Sequence, residues 1–302
     1  MYNFKTWISK KLWVKCWTIG FVKDGLASVF EKDAFDVEWI KIPHDRWFAD
    51  PFILDVTDSE ILLFVEDFAY SEGKGVISLL RIDKQTMRIA KRKVLLDLPT
   101  HLSFPIILRK DGHIYVYPES CSSGQLNMYE YNQEEETLVY KETICKDVVW
   151  DSVIFDQYDT NLLFTANDGD YSLNIYRWNE REKMYRKWGK LESDKPDMRM
   201  AGRFFEYGGD FYCPTQDCSR NYGGAVVIRK VNFNGDTVNG VSLDYMKTIN
   251  SPHKRMNIGF HTLNEYKGIA VVDAQGYRYF YIISLITKMS NIKKRLLGIW
   301  KK

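Results

Sequence analysis

Carboxylates recur at matching places along this chain, and its chemistry is concentrated where they do. Asp50, Phe104, Asp151, Gly202 and His261 stand at the start of short apolar runs, such as Asp50-Pro51-Phe52-Ile53-Leu54 and Asp151-Ser152-Val153-Ile154-Phe155. Each run is followed by a second one ending in Glu66, Glu119, Asn167, Gln216-Asp217 or Asp273. Carboxyl groups crowded in a partly dry pocket raise one another's pKa, so one of them can hold or receive a proton near neutral pH. Trp47 and Phe48 precede Asp50, and Trp150 precedes Asp151. An aromatic face beside a carboxylate suits a sugar, whose C–H face stacks while its hydroxyls hydrogen-bond. The same acids also fit a structural role, capping backbone N–H groups and holding neighbouring segments together.

Five copies of one pattern position these residues. The fullest is Arg203-Phe204-Phe205-Glu206-Tyr207-Gly208-Gly209-Asp210-Phe211-Tyr212-Cys213-Pro214-Thr215-Gln216-Asp217, two short strands joined by a Gly-Gly turn, running on through Cys218-Ser219-Arg220-Asn221-Tyr222-Gly223-Gly224. Spacing of roughly 50 residues matches the period of a four-stranded propeller blade. The chain is expected to be all-β, a five-bladed β-propeller over residues 1–284 with a basic segment at 1–15. In such a fold the innermost strands surround a channel, and the residues at one end of them converge on a shared mouth.

At 302 residues, 45% hydrophobic and 15% aromatic, the chain can bury a large core as a single domain. Cysteines 16, 121, 145, 213 and 218 are odd in number without a CxxC pair, which argues for reduced thiols. Cys213 and Cys218 lack the second pair a zinc site needs, and neither a metal nor a cofactor is expected. Lys10, Lys11 and Lys15 interrupt any signal-peptide core, and no run of about 18 apolar residues exists, so a cytoplasmic location is expected. The net charge of +2 divides into +4 on residues 1–15, +6 on 285–302 and −8 on the body between. Leu285, Met289, Ile292, Leu296 and Ile299 fall at helical spacing beside Trp300, so residues 285–302 are expected to form a basic amphipathic helix. Such a helix fits an anchor on an anionic membrane surface, here the inner membrane face, or equally a helix docked on the propeller's side. An acidic body argues against nucleic acid as a partner.

Asp50-Pro51-Phe52 and Asp151-Ser152-Val153-Ile154-Phe155 resemble the first two acidic motifs of the five-bladed arabinan- and xylan-cleaving glycoside hydrolases. That resemblance implies a general base at Asp50 and an orienting, pKa-tuning acid at Asp151. The hydrolases' general acid falls near Ala201-Gly202-Arg203, where this chain has Ala. A more extensive resemblance runs through His101-Leu102-Ser103-Phe104-Pro105, Tyr117-Pro118-Glu119-Ser120, Ala201-Gly202-Arg203, the block from Gln216 to Gly224, and His261-Thr262-Leu263-Asn264. These are similar to the propeller domain that precedes the glycosyltransferase domain in plant glucosamine inositolphosphorylceramide transferases. Similar stand-alone bacterial proteins are associated with surface-polysaccharide synthesis, which implies a sugar-containing substrate.

Hydrolysis needs an acid to protonate a poor leaving group, a requirement that Ala201 fails unless Glu66 or Glu119 substitutes. Transfer from a phosphate-activated donor needs positive charge and N–H donors instead. The leading expectation is therefore glycosyl transfer, with Asp50 as base, Asp151 positioning it, Glu119 completing the catalytic set, and Arg203 with Arg220 holding the donor phosphate. Trp47, Glu66, His101, Ser103, Trp150, Gln216, Asp217, Tyr222, His261, Asn264 and Asp273 are expected to touch substrate around them. A lipid-linked acceptor at the membrane face suits that reading. A glycan-binding scaffold for a partner glycosyltransferase remains open, and an intact glycosidase is the third alternative.

Overall fold

The computed structural model describes residues 13–279 apart from 33, 158–159, 167–170 and 235–236. Strands β1 (Trp13–Val22) and β2 (Val37–Trp39) come first, separated by the short helix α1 (Gly25–Glu31). Three complete blades follow in chain order. The first contains β3 (Arg46–Val56), β4 (Glu60–Ala69), β5 (Gly75–Asp83) and β6 (Arg88–Leu96); the second β7 (Ser103–Lys110), β8 (His113–Glu119), β9 (Leu126–Asn132) and β10 (Thr137–Cys145). The third contains β11 (Trp150–Phe155), β12 (Leu162–Ala166), β13 (Leu173–Asn179) and β14 (Met184–Leu191). The fourth blade splits its inner edge into β15 (Arg199–Met200) and β16 (Phe205–Tyr207), both paired with β17 (Asp210–Asp217), then β18 (Ala225–Phe233) and β19 (Val241–Ile249). The five-bladed propeller is thus the fold.

The fifth blade is where the chain departs from five self-contained copies. Its inner strands β20 (Leu263–Tyr266) and β21 (Ile269–Tyr279) come from one end of the chain and its outer strands β1 and β2 from the other. β1 pairs with β21 from Trp13↔Tyr279 to Val22↔Ala270. This seam ties the two ends of the chain into one blade and so closes the ring. Part of the segment read as a basic N-terminal extension is therefore a blade strand. The expected helix at 285–302 lies outside the described residues. Among those residues no helix is long and apolar enough to cross a membrane.

Blade position dictates the apolar patterning. Ile61 to Val65 on β4 are buried as one continuous run, because both faces of that strand are covered by neighbouring blades. Outer β6 keeps most of its residues at the surface, and its Arg88, Lys91 and Arg92 are exposed. Aromatic side chains fill the blade interfaces: Phe52 meets Phe104 edge-on at 5.1 Å and Phe155 stacks on Phe233 at 4.9 Å.

What positions the site is a bulge repeated in the inner strands. The β3–β4, β7–β8 and β11–β12 registers each slip at the same place, between Ala49 and Phe52, Ser103 and Ile106, and Trp150 and Val153. At each slip one residue takes the left-handed conformation: Asp50 (φ 48°), Phe104 (φ 46°) and Asp151 (φ 43°). A non-glycine residue pays of the order of 1–2 kcal/mol there, and a bulky Phe is a clear outlier. The fourth blade places Gly202 (φ 151°) at this point, and a Cβ on it would lie 2.1 Å from the Leu263 carbonyl oxygen. Only glycine lets blades four and five approach so closely.

Candidate functional site

Each bulge turns a backbone N–H away from its own sheet, and an acceptor from a neighbouring blade receives it. Asp50 N–H donates to Asp273 Oδ2 (3.0 Å), Phe104 N–H to Asp50 Oδ2 (3.0 Å) and Asp151 N–H to Glu119 Oε2 (2.8 Å). In the fourth blade Arg203 N–H donates to Asn264 Oδ1 (2.8 Å), and Asn264 Nδ2 donates to the Pro51 carbonyl (2.9 Å). The acids at this end of the inner strands therefore staple blade to blade. Asp50, Asp151, Glu66 and Asp273 are all buried.

Two proton-holding groups result. In the first, His261 stacks on Trp17 at 3.9 Å, sets Nδ1 2.8 Å from Asp273 Oδ2, and has Nε2 3.6 Å from Asp50 Oδ1. Thr262 Oγ1 lies 3.1 Å from Asp50 Oδ1 and 3.0 Å from Asp273 Oδ2. One hydroxyl hydrogen cannot serve two carboxylates, so both contacts are bonds only if a carboxyl contributes a proton. Asp50 is that carboxyl: burial pushes its pKa up to about 8, reinforced by Glu66, Asp273 and Asp151 against the opposing pull of His261. The order is then Asp50 O–H to Thr262 Oγ1, and Thr262 O–H to Asp273. For His261, burial works against the charged form, but Asp273 and Asp50 outweigh it and raise the pKa to about 9.

In the second group Asp151 Oδ2 accepts from Arg199 Nε and from Gln216 Nε2 (2.7 Å). Burial pushes the Asp151 pKa up, yet Arg199 holds it below the usual carboxylate range. Glu119 behaves oppositely. Burial and the adjacent Asp151 charge hold its pKa well above normal, and its carboxyl hydrogen-bonds to Asp151, so Glu119 keeps the proton and Asp151 the charge. Two acids pushed apart in this way can serve different steps of acid–base chemistry. Gln216 Oε1 is buried without a partner. Flipping the amide would turn an oxygen toward Asp151 Oδ2 and the Met200 carbonyl, both acceptors, so the amide keeps its orientation and Oε1 stays an enclosed, unpaired acceptor.

The remaining expected residues divide by place. His101 Nδ1 accepts Gly75 N–H (2.9 Å), which fixes the proton on Nε2, 3.2 Å from Glu66 Oε1; that bond raises the His101 pKa. Trp47 stacks on Phe68 at 4.7 Å, and the His101 ring lies 6.3 Å from Phe68. Tyr222 is exposed, edge-on to His261 at 5.8 Å, with the Arg199 guanidinium 5.1 Å from its ring. Gly223 beside it presses on His261, since a Cβ there would sit 2.5 Å from His261 Cβ. Ser103 pairs with Glu119 across β7–β8, and Trp150 N–H donates to Thr165 Oγ1 (3.1 Å). Asp217 Oδ1 accepts Ser219 N–H (2.8 Å) and shapes the loop that carries the exposed Arg220. Arg203 is set apart by its side chain, whose charge registers on Tyr117 and Arg109 further along the channel.

Arg199, Thr262 and Trp17 belong to the mouth and escaped the sequence reading. Arg199 had one available signal, its place three residues before Gly202 at the edge of a blade. Among the described residues, Asp50, His261 and Asp273 also bring possible metal-ligand atoms within 4.8 Å of one another. Asp273 already accepts the N–H groups of His261 (3.1 Å), Thr262 (3.0 Å) and Asp50 (3.0 Å) besides the imidazole. An ion would have to displace this set, and the cluster fits protons better than a metal.

Comparison with known proteins adds the family. Residues 40–261 match the family described as glucosamine inositolphosphorylceramide transferase 1, N-terminal. The transferase of that name from Oryza sativa subsp. japonica is 29% identical over 201 residues, covering 61% of this chain and 26% of that protein. Its counterpart from Arabidopsis thaliana is 26% identical over 199 residues, covering 62% and 26%. The chain thus spans about a quarter of the length of these curated relatives. Among solved structures, a GH43_1 enzyme from Xanthomonas citri superposes with a TM-score of 0.54 at 13% identity over 79% of this chain and 88% of that one. The RS223 beta-xylosidase gives 0.52 at 14% identity over 77% and 93%. Identities this low speak for a common fold alone. The family match, by contrast, takes in well over half the chain and the mouth residues from Asp50 to His261, and the chain belongs to the family of the glucosamine inositolphosphorylceramide transferase N-terminal domain.

Proposed function

We propose that the channel mouth binds a sugar and serves glycosyl transfer from a phosphate-activated donor, with Asp50, in its ionised form, as the group that takes the acceptor hydroxyl's proton. The observation that carries this reading is the separation of the mouth's acids into proton-holding Asp50 and Glu119 and ionised Asp151. A base with a pKa near the working pH is the efficient kind. The Trp47–Phe68 stack supplies an aromatic face a few residues from Asp50. Ala201 is fully buried where the hydrolases keep an acid, which supports a leaving group that needs no protonation.

The donor phosphate finds little at the mouth to hold it. Arg199 is already committed to Asp151 and lies 3.6 Å from Glu119, and Arg220 is exposed on its loop. We therefore assign the mouth to the acceptor sugar and the donor phosphate to a partner unit, in keeping with the fraction of its relatives that this chain spans.

A second reading has its own observation. Asp50 already engages Phe104 N–H and Thr262 Oγ1, so it also fits a non-catalytic glycan-binding propeller. Calorimetric titration with a panel of neutral oligosaccharides, on wild type and Asp50→Asn, combined with a transfer assay in the presence of the partner transferase, separates the two. Catalysis by Asp50 predicts retained glycan binding with turnover lowered by two or more orders of magnitude, in line with general-base contributions of about 10²–10⁴-fold. Equal turnover in both proteins would leave the binding module. Failure of every neutral glycan to bind wild type would remove the sugar site itself.

A further inference from the structure

The mouth lies at one end of the inner strands, and at the opposite end β7 brings two cations, Arg109 and Lys110, among the acids that end the neighbouring inner strands. Arg109 lies five residues beyond Phe104 on β7, which at about 3.3 Å per residue places it roughly 17 Å along the strand from the mouth. Its Nη2 donates to the carbonyls of Ile53 (2.9 Å) and Leu54 (2.7 Å), and the guanidinium lies 3.8 Å from the centre of the Tyr266 ring. It is half-buried, lining a cleft of about 410 Å³ between the hairpin turns of the first, second and fifth blades, with Lys110, Lys267 and Tyr131.

Ion-pair accounting distinguishes Arg109 and Lys110 from the cations around them. Lys267 is paired with Asp55 (2.7 Å), His113 with Glu130 (2.6 Å), and Arg81 with Glu60 (3.0 Å) and Glu136 (2.6 Å). Among the described residues no carboxylate lies within 4.0 Å of Arg109 or Lys110. Asp55 and Asp111 line the cleft as well; Asp55 is engaged by Lys267 at close range and reaches Arg109 only at longer range, as Glu180 does Lys110. Burial pushes the Arg109 pKa down, with Arg203 adding to it against the opposing pulls of Tyr266 and Asp55. A half-buried guanidinium with unused N–H donors and a lysine beside it is a fork and a point charge in search of a multivalent oxyanion.

We propose that this turn-side cleft binds a phosphate group, with Arg109 supplying the directed hydrogen bonds and Lys110 the second positive charge. It is separate from the sugar mouth and does not depend on how that mouth is used. The cleft can accommodate a phosphate ester with a small polyol attached, and the ester can be soluble or belong to a lipid headgroup.

The test uses the full chain as wild type, Arg109→Gln and Lys110→Gln. Calorimetric titration with glycerol 3-phosphate is one arm; cosedimentation with phosphatidylglycerol vesicles, against phosphatidylcholine vesicles, is the other. Wild type should bind glycerol 3-phosphate saturably, Arg109→Gln about tenfold or more weakly and Lys110→Gln severalfold more weakly, since each removes a charge-assisted contact. Because Arg109 also ties down Ile53 and Leu54, the exposed Lys110→Gln carries the test should Arg109→Gln fail to fold. Lysines elsewhere attract anionic vesicles equally in all three proteins, so the difference between them is what counts. Loss of phosphatidylglycerol binding in the variants assigns the lipid headgroup; weakened glycerol 3-phosphate binding with unchanged vesicle binding assigns a soluble ester. Variants that match wild type in both arms overturn the proposal.

Discussion

Replacing Asp50 by Asn tests the protonation of the mouth through stability alone, without knowledge of any substrate. The amide keeps the shape of a neutral carboxyl and can still donate to Thr262 Oγ1, but it has no proton to lose. In wild type the Asp50 pKa rises from 3.8 in the unfolded chain to about 8 in the folded protein. Between those values the folded protein binds the extra proton, so stability falls as the pH rises. The contribution is fully present below the unfolded pKa and is lost as the pH climbs through about 8. Four units at about 1.4 kcal/mol each set an upper bound of about 5–6 kcal/mol, and relaxation around a buried acid brings the expected figure to about 2–4 kcal/mol. His261, raised from 6.5 to about 9, loses its own contribution in the same direction and shares Asp50 as a neighbour. The quantity to read is therefore the difference between variant and wild type. Urea denaturation followed by fluorescence of the nine tryptophans, at half-unit steps from about pH 4.5 to about pH 8.5, gives that difference. Asp50→Asn should gain on wild type steadily across the range. A flat difference curve would mean that Asp50 is already ionised at the acid end, and the proton order through Thr262 would be wrong.

Two further substitutions probe the scaffold around the mouth. Arg199→Met removes the cation that keeps Asp151 charged, and breaking a buried pair from one side costs about 3–5 kcal/mol. Asp151 has a depressed folded pKa, so its stabilisation is present above the unfolded pKa and lost as the pH falls; the penalty should accordingly be largest at neutral pH and shrink in acid, as denaturation at two pH values will reveal. Gly202→Ala places a Cβ 2.1 Å from the Leu263 carbonyl at a φ of 151°, and should lower the melting temperature by several degrees or block folding outright, whereas a neutral outcome would mean that blades four and five separate freely.

The propeller was legible because each blade repeats a local pattern: two or more apolar runs, a turn between them, and an acid at the strand end. Asp50 and Asp151 could be aligned for the same reason. Closure of the ring was not legible, since β1 and β21 sit at opposite ends of the chain and neither strand's composition names its partner. Nor could sequence supply the left-handed bulges. Nothing about Phe104 announces a positive φ, and only the slip between Ser103 and Ile106, recurring in three blades, accounts for it. That backbone device decides which side chains meet. It turns Asp50 toward the Phe104 N–H and Asp151 toward the Glu119 carboxyl, so residues far apart in sequence act as one acid–base group. It also separates two arginines that look alike as letters. Arg199 opens β15 opposite Gln216 and reaches Asp151, while Arg203, just past the glycine, acts on Tyr117 and Arg109. A reading from spacing alone put the second arginine at the mouth and passed over the first, because the turn at Gly202 that distinguishes them exists only once blades four and five are packed together.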